Sequence, residues 1–337
     1  MIANAPVFID TARQAERMRA RIVRPASREI LVSRIAGSDQ EEDLTSPVNA
    51  GGLGRVRHFQ RATGPGWPDN PLPIVPAAAS LGQPAPDVML AQVFQNAACA
   101  WRCWYCYVPF ELLGGHERSA EWVTAETLIA HYTALEDRPP IIDLSGGSPD
   151  LTPEWVGWTM DALDAAGLNG RAYLWSDDNL STDFLFTELD ARQRQRLAEF
   201  SHYGRVCCFK GFDPASFAFN TSAALGEFDR QFERFARTLD LGIDLYGYVT
   251  LTGPSLAAAA DGVPALIDRL QQISPMLPLR VVPLKIAAFG PMLARPTASR
   301  LHDALIVEDT AIGVWQRVLE ERFTAAERAL PINEVRL

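Results

Sequence analysis

Three cysteines fall within eight residues, Cys99-Ala100-Trp101-Arg102-Cys103-Trp104-Tyr105-Cys106, and no other feature constrains the chain as tightly. Three thiolates at C-x3-C-x2-C spacing can hold three corners of a four-iron cluster. The ordinary protein set for such a cluster is four cysteines, so one iron stays open to a ligand from outside. A closed zinc site is the competing reading. It needs a fourth ligand, which here must be Cys207, Cys208 or a distant histidine, because no second C-x2-C pair is present. Chance grouping of buried thiols is the third possibility.

With 337 residues, 47% of them hydrophobic, the chain has enough apolar material for a sizeable core. Residues 1–6 show no basic region followed by an apolar stretch, and no run approaches the roughly eighteen apolar residues of a membrane span. A cytoplasmic protein with no membrane partner is the expectation. Five cysteines, three of them crowded together, do not make a disulfide framework, and thiolates for iron need a reducing compartment. A formal charge of −10 disfavours nucleic acid as a partner. The one basic stretch, residues 11–34, holds seven arginines against two glutamates and reads as a solvated helix face before it reads as a phosphate contact. Of 31 basic residues, 29 are arginines and only Lys210 and Lys285 are lysines, so those two positions need a reason.

From Pro65 to Pro86 seven prolines interrupt the chain, placing a boundary near residue 87. The expected division is an N-terminal extension with a Pro-rich connection (1–87), a main domain (88–290) and a C-terminal helical segment (291–337). In the extension, 28–34 and 55–59 read as short strands. Beyond the boundary strands and helices alternate. Strands are expected at 88–94, 141–145, 171–175, 206–210, 243–251 and 279–286. Helices are expected at 125–135 with Thr124 as cap, from Thr152-Pro153-Glu154 to a stop at Gly167, and at 182–200. A fourth runs along Phe228, Phe232, Phe235 and Leu239 to Gly242, with further helices at 263–273 and about 304–328. Six strand–helix units imply an α/β fold with a parallel sheet and right-handed crossovers, and they fit a partial (β/α)6 barrel.

In such folds chemistry gathers beyond the carboxyl ends of the strands. The cysteine loop, Gly146-Gly147-Ser148, Ser176-Asp177-Asp178-Asn179, Lys210 and the Thr250–Gly253 stretch all fall there. Gly146 and Gly147 let backbone pass close to a ligand and leave carbonyls free for an ammonium group. Ser176, Asp177 and Asn179 offer the hydroxyl, carboxylate and amide that a ribose needs, or equally an Asx-type turn capping the next helix. A compact ammonium suits a single carboxylate, which gives Lys210 and Lys285 a ligand role beside the alternative of ordinary strand-end lysines. Cys207 and Cys208 must face opposite sides of their strand. An inward thiol can donate a hydrogen atom to a substrate radical, and Cys208 is the candidate beside a purely structural role. The five histidines have no ligand spacing with one another.

The cysteine spacing, with Tyr105 directly before the last cysteine, resembles the signature of the radical S-adenosylmethionine superfamily. The resemblance implies that Cys99, Cys103 and Cys106 hold a [4Fe-4S] cluster whose free iron binds S-adenosyl-L-methionine, and that reductive cleavage of this cofactor starts hydrogen abstraction. It also implies a partial barrel of that family's type, Tyr105 near the adenine, and an electron donor such as flavodoxin or ferredoxin. Gly146-Gly147-Ser148-Pro149 resembles the family's Gly-Gly-Glu-Pro motif, with Ser148 where glutamate is usual and Asp150 close by as a substitute carboxylate. Cys208-Phe209-Lys210 resembles the Asp-x-Lys motif of the glycyl-radical activating branch, and Pro283-Leu284-Lys285 its Pro-aromatic-His segment. Two cysteines outside the loop are too few for an auxiliary cluster. The expected function is a radical enzyme acting on a small molecule or a single protein substrate. An activating enzyme for a protein partner and a non-enzymatic zinc-binding module remain as alternatives.

Overall fold

The computed structural model describes residues 8–62, 64 and 67–337. Residues 1–6, read above for a leader, and Pro65 of the proline series lie outside them. Ten strands occur among the described residues: β1 Val23–Arg24, β2 Glu29–Ser33, β3 Gly54–Gln60, β4 Val88–Phe94, β5 Ala120–Thr124, β6 Ile141–Leu144, β7 Tyr173–Asp178, β8 Tyr203–Phe209, β9 Leu245–Val249 and β10 Val281–Pro283. Seven form a curled, open half-barrel in the order β10-β9-β8-β7-β6-β4-β3. Every pair from β4 to β10 is parallel, while β3 lies antiparallel on the β4 edge. Strands β1, β2 and β5 make a small antiparallel sheet beside it. The N-terminal extension thus contributes one edge of the main sheet and two strands of the small one.

Strand alternation sorts the side chains. Leu144, Leu174, Cys207, Phe209 and Val249 point outward and share one core with Leu163, Phe235 and Leu266 of the covering helices. The opposite, inner face has a graded character. At the amino-terminal ends of the parallel strands Phe59, Met89, Ile141, Tyr173, Val206 and Tyr246 pack against Ile74, Ala77 and Ala78. Towards the carboxyl ends the inner face carries Arg55, Arg57, Asp143, Asp177, Cys208, Lys210 and Tyr248, with register pairs such as Arg55↔Val93 and Val93↔Asp143 carrying one row across strands. One end of the half-barrel is a hydrophobic plug and the other is a polar mouth.

Several elements differ from the sequence expectation. The proline series contains a helix, Ile74–Ser80. Pro76 is its third residue, where no intrahelical donor is lost. The span 182–200 splits into Phe184–Thr187 and Ala191–Glu199, because Asp190 forms a capping box with Gln193 and restarts the helix. An additional helix, Pro214–Thr221, is opened by a capping box at Asp213. The helix expected at 263–273 begins at Leu256, where the Ser255 side chain caps an alanine run, and it carries Pro264 inside. The sixth parallel strand is only three residues long, Val281–Pro283.

Phe235 on helix Glu227–Leu239 is fully buried, with its ring 5.3 Å from that of Phe209 on β8. Phe235→Ala is expected to destabilise the chain by about 3–5 kcal/mol, the usual cost of an aromatic-sized cavity, read by urea unfolding.

Candidate functional site

The cysteine loop leaves the carboxyl end of β4 and is fixed from three sides. Beneath it, Asn96 bonds its own loop at Ala98 N (2.9 Å) and reaches the Ser148 carbonyl (3.3 Å) and Thr152 Oγ1 (3.1 Å). At its flank, Arg102 N and Trp104 N donate to the carbonyls of Thr221 and Asn220, so the loop rests on the end of helix Pro214–Thr221. From above, Arg295 donates to the carbonyls of Trp104 (3.3 Å), Cys106 (2.5 Å) and Val108 (2.6 Å), with its guanidinium 3.9 Å from the centre of the Phe110 ring. Trp101 and Trp104 are buried beside the thiols.

The turn after β6 meets this loop backbone to backbone. Ser148 N donates to the Ala98 carbonyl at 2.8 Å, and Ser148 Oγ lies 3.1 Å from Cys99 Sγ. Gly147 has φ +66°, and a Cβ there would run into the Ala98 carbonyl and come within 2.6 Å of the Asn96 carbonyl. The close approach this glycine permits is therefore to the cysteine loop itself. Asn179, beyond β7, closes the arrangement by donating to the Gly147 carbonyl (3.0 Å) and Ser148 Oγ (2.9 Å). Asp150 accepts from Ser181 N (3.0 Å) and Ser181 Oγ (2.6 Å), which ties it to the segment after β7.

All three loop cysteines are free thiols, Cys99 buried and Cys103 and Cys106 half-buried. Burial pushes the Cys103 thiol up to about 12, with Lys210 acting against it and Cys99 and Cys106 adding to it. The Cys106 thiol is also raised, by burial first and then by Cys99. The three thiols thus feel one another, although among the described residues no three His, Cys, Asp or Glu side chains converge to clasp a single ion. As a donor set, three thiols are soft ligands of the kind that iron–sulfur clusters and zinc take, and among the described residues no fourth ligand joins them to close a zinc site. Lys210, held by a bond from its own N–H to Gln231 (2.7 Å), is buried. Burial works against its ammonium, but Cys208, Tyr105, Cys103 and Cys99 outweigh it and hold the pKa well above the ordinary lysine value. Tyr105 joins the loop to the end of β9 through Thr250 Oγ1 (3.1 Å).

The expected residues do not all converge. Tyr105, Gly147, Ser148, Asn179 and Lys210 lie together around the cysteines, and Gly146 lies against the Gln95 side chain. Asp177 lies on the inner face, whereas Ser176 points to the outer face and bonds the Tyr203 hydroxyl at 2.8 Å. Lys285 pairs with Asp309 (2.9 Å) over the Trp67 ring, away from the thiols. Cys208 takes the inner face and Cys207 the outer. Residues that the sequence reading passed over are Asn96, Arg295 and the inner row of Arg55, Arg57 and Asp143. Only the last had a signal, the alternation of Arg55, Arg57 and Phe59 along a strand that was itself expected.

No protein-family model matches the chain, and no curated protein does. Solved structures of SuiB from Streptococcus suis are similar at low level. The form bound to precursor peptide SuiA is 12% identical with a TM-score of 0.39, and the form bound to S-adenosylmethionine is 14% identical with a TM-score of 0.38. Each match covers 54% of this chain and only 36–37% of SuiB. A superposition that loose leaves the fold to be described from this chain's own sheet.

Two outcomes follow from the geometry. Gly147→Ala is expected to destabilise the protein by about 1–3 kcal/mol from the left-handed backbone alone, with the steric clash adding to it, and denaturant titration would read the loss. Asp177 has its carboxyl pushed up to about 7 by burial and by Asp143, against the opposing pull of Arg57 and Lys210. An acid whose folded pKa is raised binds its proton more tightly when folded, so stability falls as the pH rises from about 4 to 7. Asp177→Asn should flatten that slope in melting curves recorded across this window.

Proposed function

We propose that the chain is a radical S-adenosylmethionine enzyme, built as a partial (β/α)6 barrel over residues 88–290 with an N-terminal extension and a C-terminal helical segment. The observation that carries the reading is the set of three free thiols, Cys99, Cys103 and Cys106, clamped at the carboxyl end of β4 beside the buried Lys210 ammonium. β4, β6, β7, β8 and β9 are each followed by an α-helix before the next strand of the main sheet, which supports the barrel assignment.

Cys99, Cys103 and Cys106 would hold a [4Fe-4S] cluster, which with bound S-adenosyl-L-methionine would supply the radical chemistry needed to activate an otherwise inert C–H bond. The chain's own residues prepare for this. Lys210 offers a fixed positive charge at the mouth, suited to a carboxylate or to anionic sulfur. The Gly147 carbonyl and the Ser148 and Asn179 side chains present polar atoms next to Cys99. Trp101 and Trp104 exclude water from the loop. Burial holds the Cys208 thiol up at about 11, so on the inner face it remains an S–H group at neutral pH, as a hydrogen-atom donor must. The substrate is a small molecule or one protein, reached from the mouth, with an external protein as electron donor.

Protein purified and reconstituted without oxygen is expected to be brown, to contain about four iron and four sulfide per chain, and to convert S-adenosylmethionine to 5′-deoxyadenosine under reductant. Cys103→Ser should abolish both colour and conversion. Colourless protein with one zinc per chain would sink the reading and favour a zinc-binding module.

A further inference from the structure

Four arginines are buried among the described residues: Arg55, Arg205, Arg234 and Arg280. Three face a carboxylate, Arg205 with Asp178 at 3.4 Å, Arg234 with Glu227 at 3.0 Å and Arg280 with Asp244 at 2.7 Å. Arg55, 6% exposed, has none within ion-pair distance, and the undescribed residues include no aspartate or glutamate to supply one. Its guanidinium donates to the Tyr107 hydroxyl at 3.2 Å and stands 5.4 Å from the centre of that ring, while its Nε has no partner. A neutral phenol does not balance a cation. Asp143, on the same row of the inner face, is engaged by Arg57 (3.7 Å) and Ser145 (3.2 Å), while its Oδ1 has no hydrogen-bond partner and Arg55 attracts its charge from further off. Just past the end of β4, Gln95 is fully buried, its Oε1 accepting from Gln40 (3.1 Å) and its Nε2 unpartnered.

A buried charge without a counter-charge, and a buried donor without an acceptor, each cost free energy that folded proteins ordinarily avoid. Here a buried guanidinium with no carboxylate within ion-pair distance, its charge met only from further off by Asp143 and Asp177, lies on the inner face at the polar mouth beside Tyr107, and the unpartnered Gln95 amide lies just past the end of β4. We infer that Arg55 and Gln95 are the recognition site for an oxyanion, a carboxylate or phosphate group, carried by the substrate. The assignment to substrate rests on the radical-enzyme reading above; the anion site itself does not. The planar guanidinium fork suits such a group better than an ammonium would, and Lys210 sits apart from it among the thiols. The antiparallel strand β3 therefore has a functional role, since without it the parallel strands would place no arginine on this wall.

The test titrates the full chain, purified without oxygen, with inorganic phosphate and separately with succinate, followed by calorimetry. One site per chain is expected in the wild type and in the surface control Arg118→Gln, with binding weakened about tenfold or more in Arg55→Gln. The tighter of the two anions identifies the substrate's group. Equal affinity in Arg55→Gln, or no binding of either anion by the wild type, overturns the inference. A second readout needs no ligand. Because Arg55 has no carboxylate within ion-pair distance and acts on Asp143 and Asp177 only from further off, Arg55→Met should lower the melting temperature less than Arg280→Met, and an equal or larger fall counts against the site. On cluster-loaded protein, the dissociation constant for S-adenosylmethionine should be unchanged by Arg55→Gln, and a parallel loss would assign Arg55 to the cofactor instead. Loss of the radical-enzyme reading, by contrast, would show as missing iron with the anion titration intact.

Discussion

The structure turns on a backbone contact: the turn after β6 presses against the cysteine loop, with Ser148 N bonded to the Ala98 carbonyl and no room for a side chain at Gly147. Two loops from neighbouring parallel strands are thereby locked to each other before any cofactor is considered. Everything polar at the mouth is referred to this junction. Asn96 holds it from below, Asn179 reaches it from the next strand, and Ser148 brings a hydroxyl to Cys99. A loop tied at this many backbone groups loses the freedom to collapse into a disulfide or a hydrophobic cluster, which keeps its three thiols available.

The inner face of the half-barrel then divides the work along its length. At the closed end, helix Ile74–Ser80 and the aromatic rings of Tyr173 and Tyr246 make an ordinary apolar core. Two steps further along the strands the same face carries Arg57, Asp143 and Asp177, whose mutual effects are large because water is largely excluded. Period-two alternation forces this arrangement, since a strand that places Phe59 in the plug must place Arg57 and Arg55 higher on the same wall. The plug supplies stability that the charged layer lacks.

Much of the architecture was legible in the chain because strand runs bounded by turns and helices with capping signals are local patterns. The strand at Val88–Phe94 and the Thr124 cap match their expectations to the residue. The departures come where local signals compete. Asp190 divides a stretch that periodicity alone joins, and prolines 73 and 76 sit at a helix start, where their missing donors do no harm. For the site, the cysteine loop and the Gly146-Gly147 turn announced themselves by spacing. Arg295 and Asn96 did not, because side chains that bond groups 189 and 52 residues away in sequence leave no periodic trace. Ser176 and Asp177, adjacent on one strand, face opposite sides of it, and spacing alone does not say which of the two meets the mouth.

The two lysines of an arginine-rich chain show how much position can tell. Both lie just past strand ends, which invited one role for both, yet Lys285 has an aspartate partner on helix Leu301–Arg322 that accounts for its charge. Lys210 has no carboxylate at ion-pair distance among the described residues; the groups that act on it most are thiols and a phenol, neutral unless a metal or a base removes their protons, with the Asp177 carboxyl further off. A cation surrounded by latent anions is at its most favourable when those anions form, and thiolates bound to iron are such anions. An arginine in its place would spread the charge over a planar fork and demand several acceptors at once, whereas an ammonium can serve whichever sulfur or carboxylate carries the charge. That difference supplies a physical reason for a lysine at this position in a chain that otherwise uses arginine.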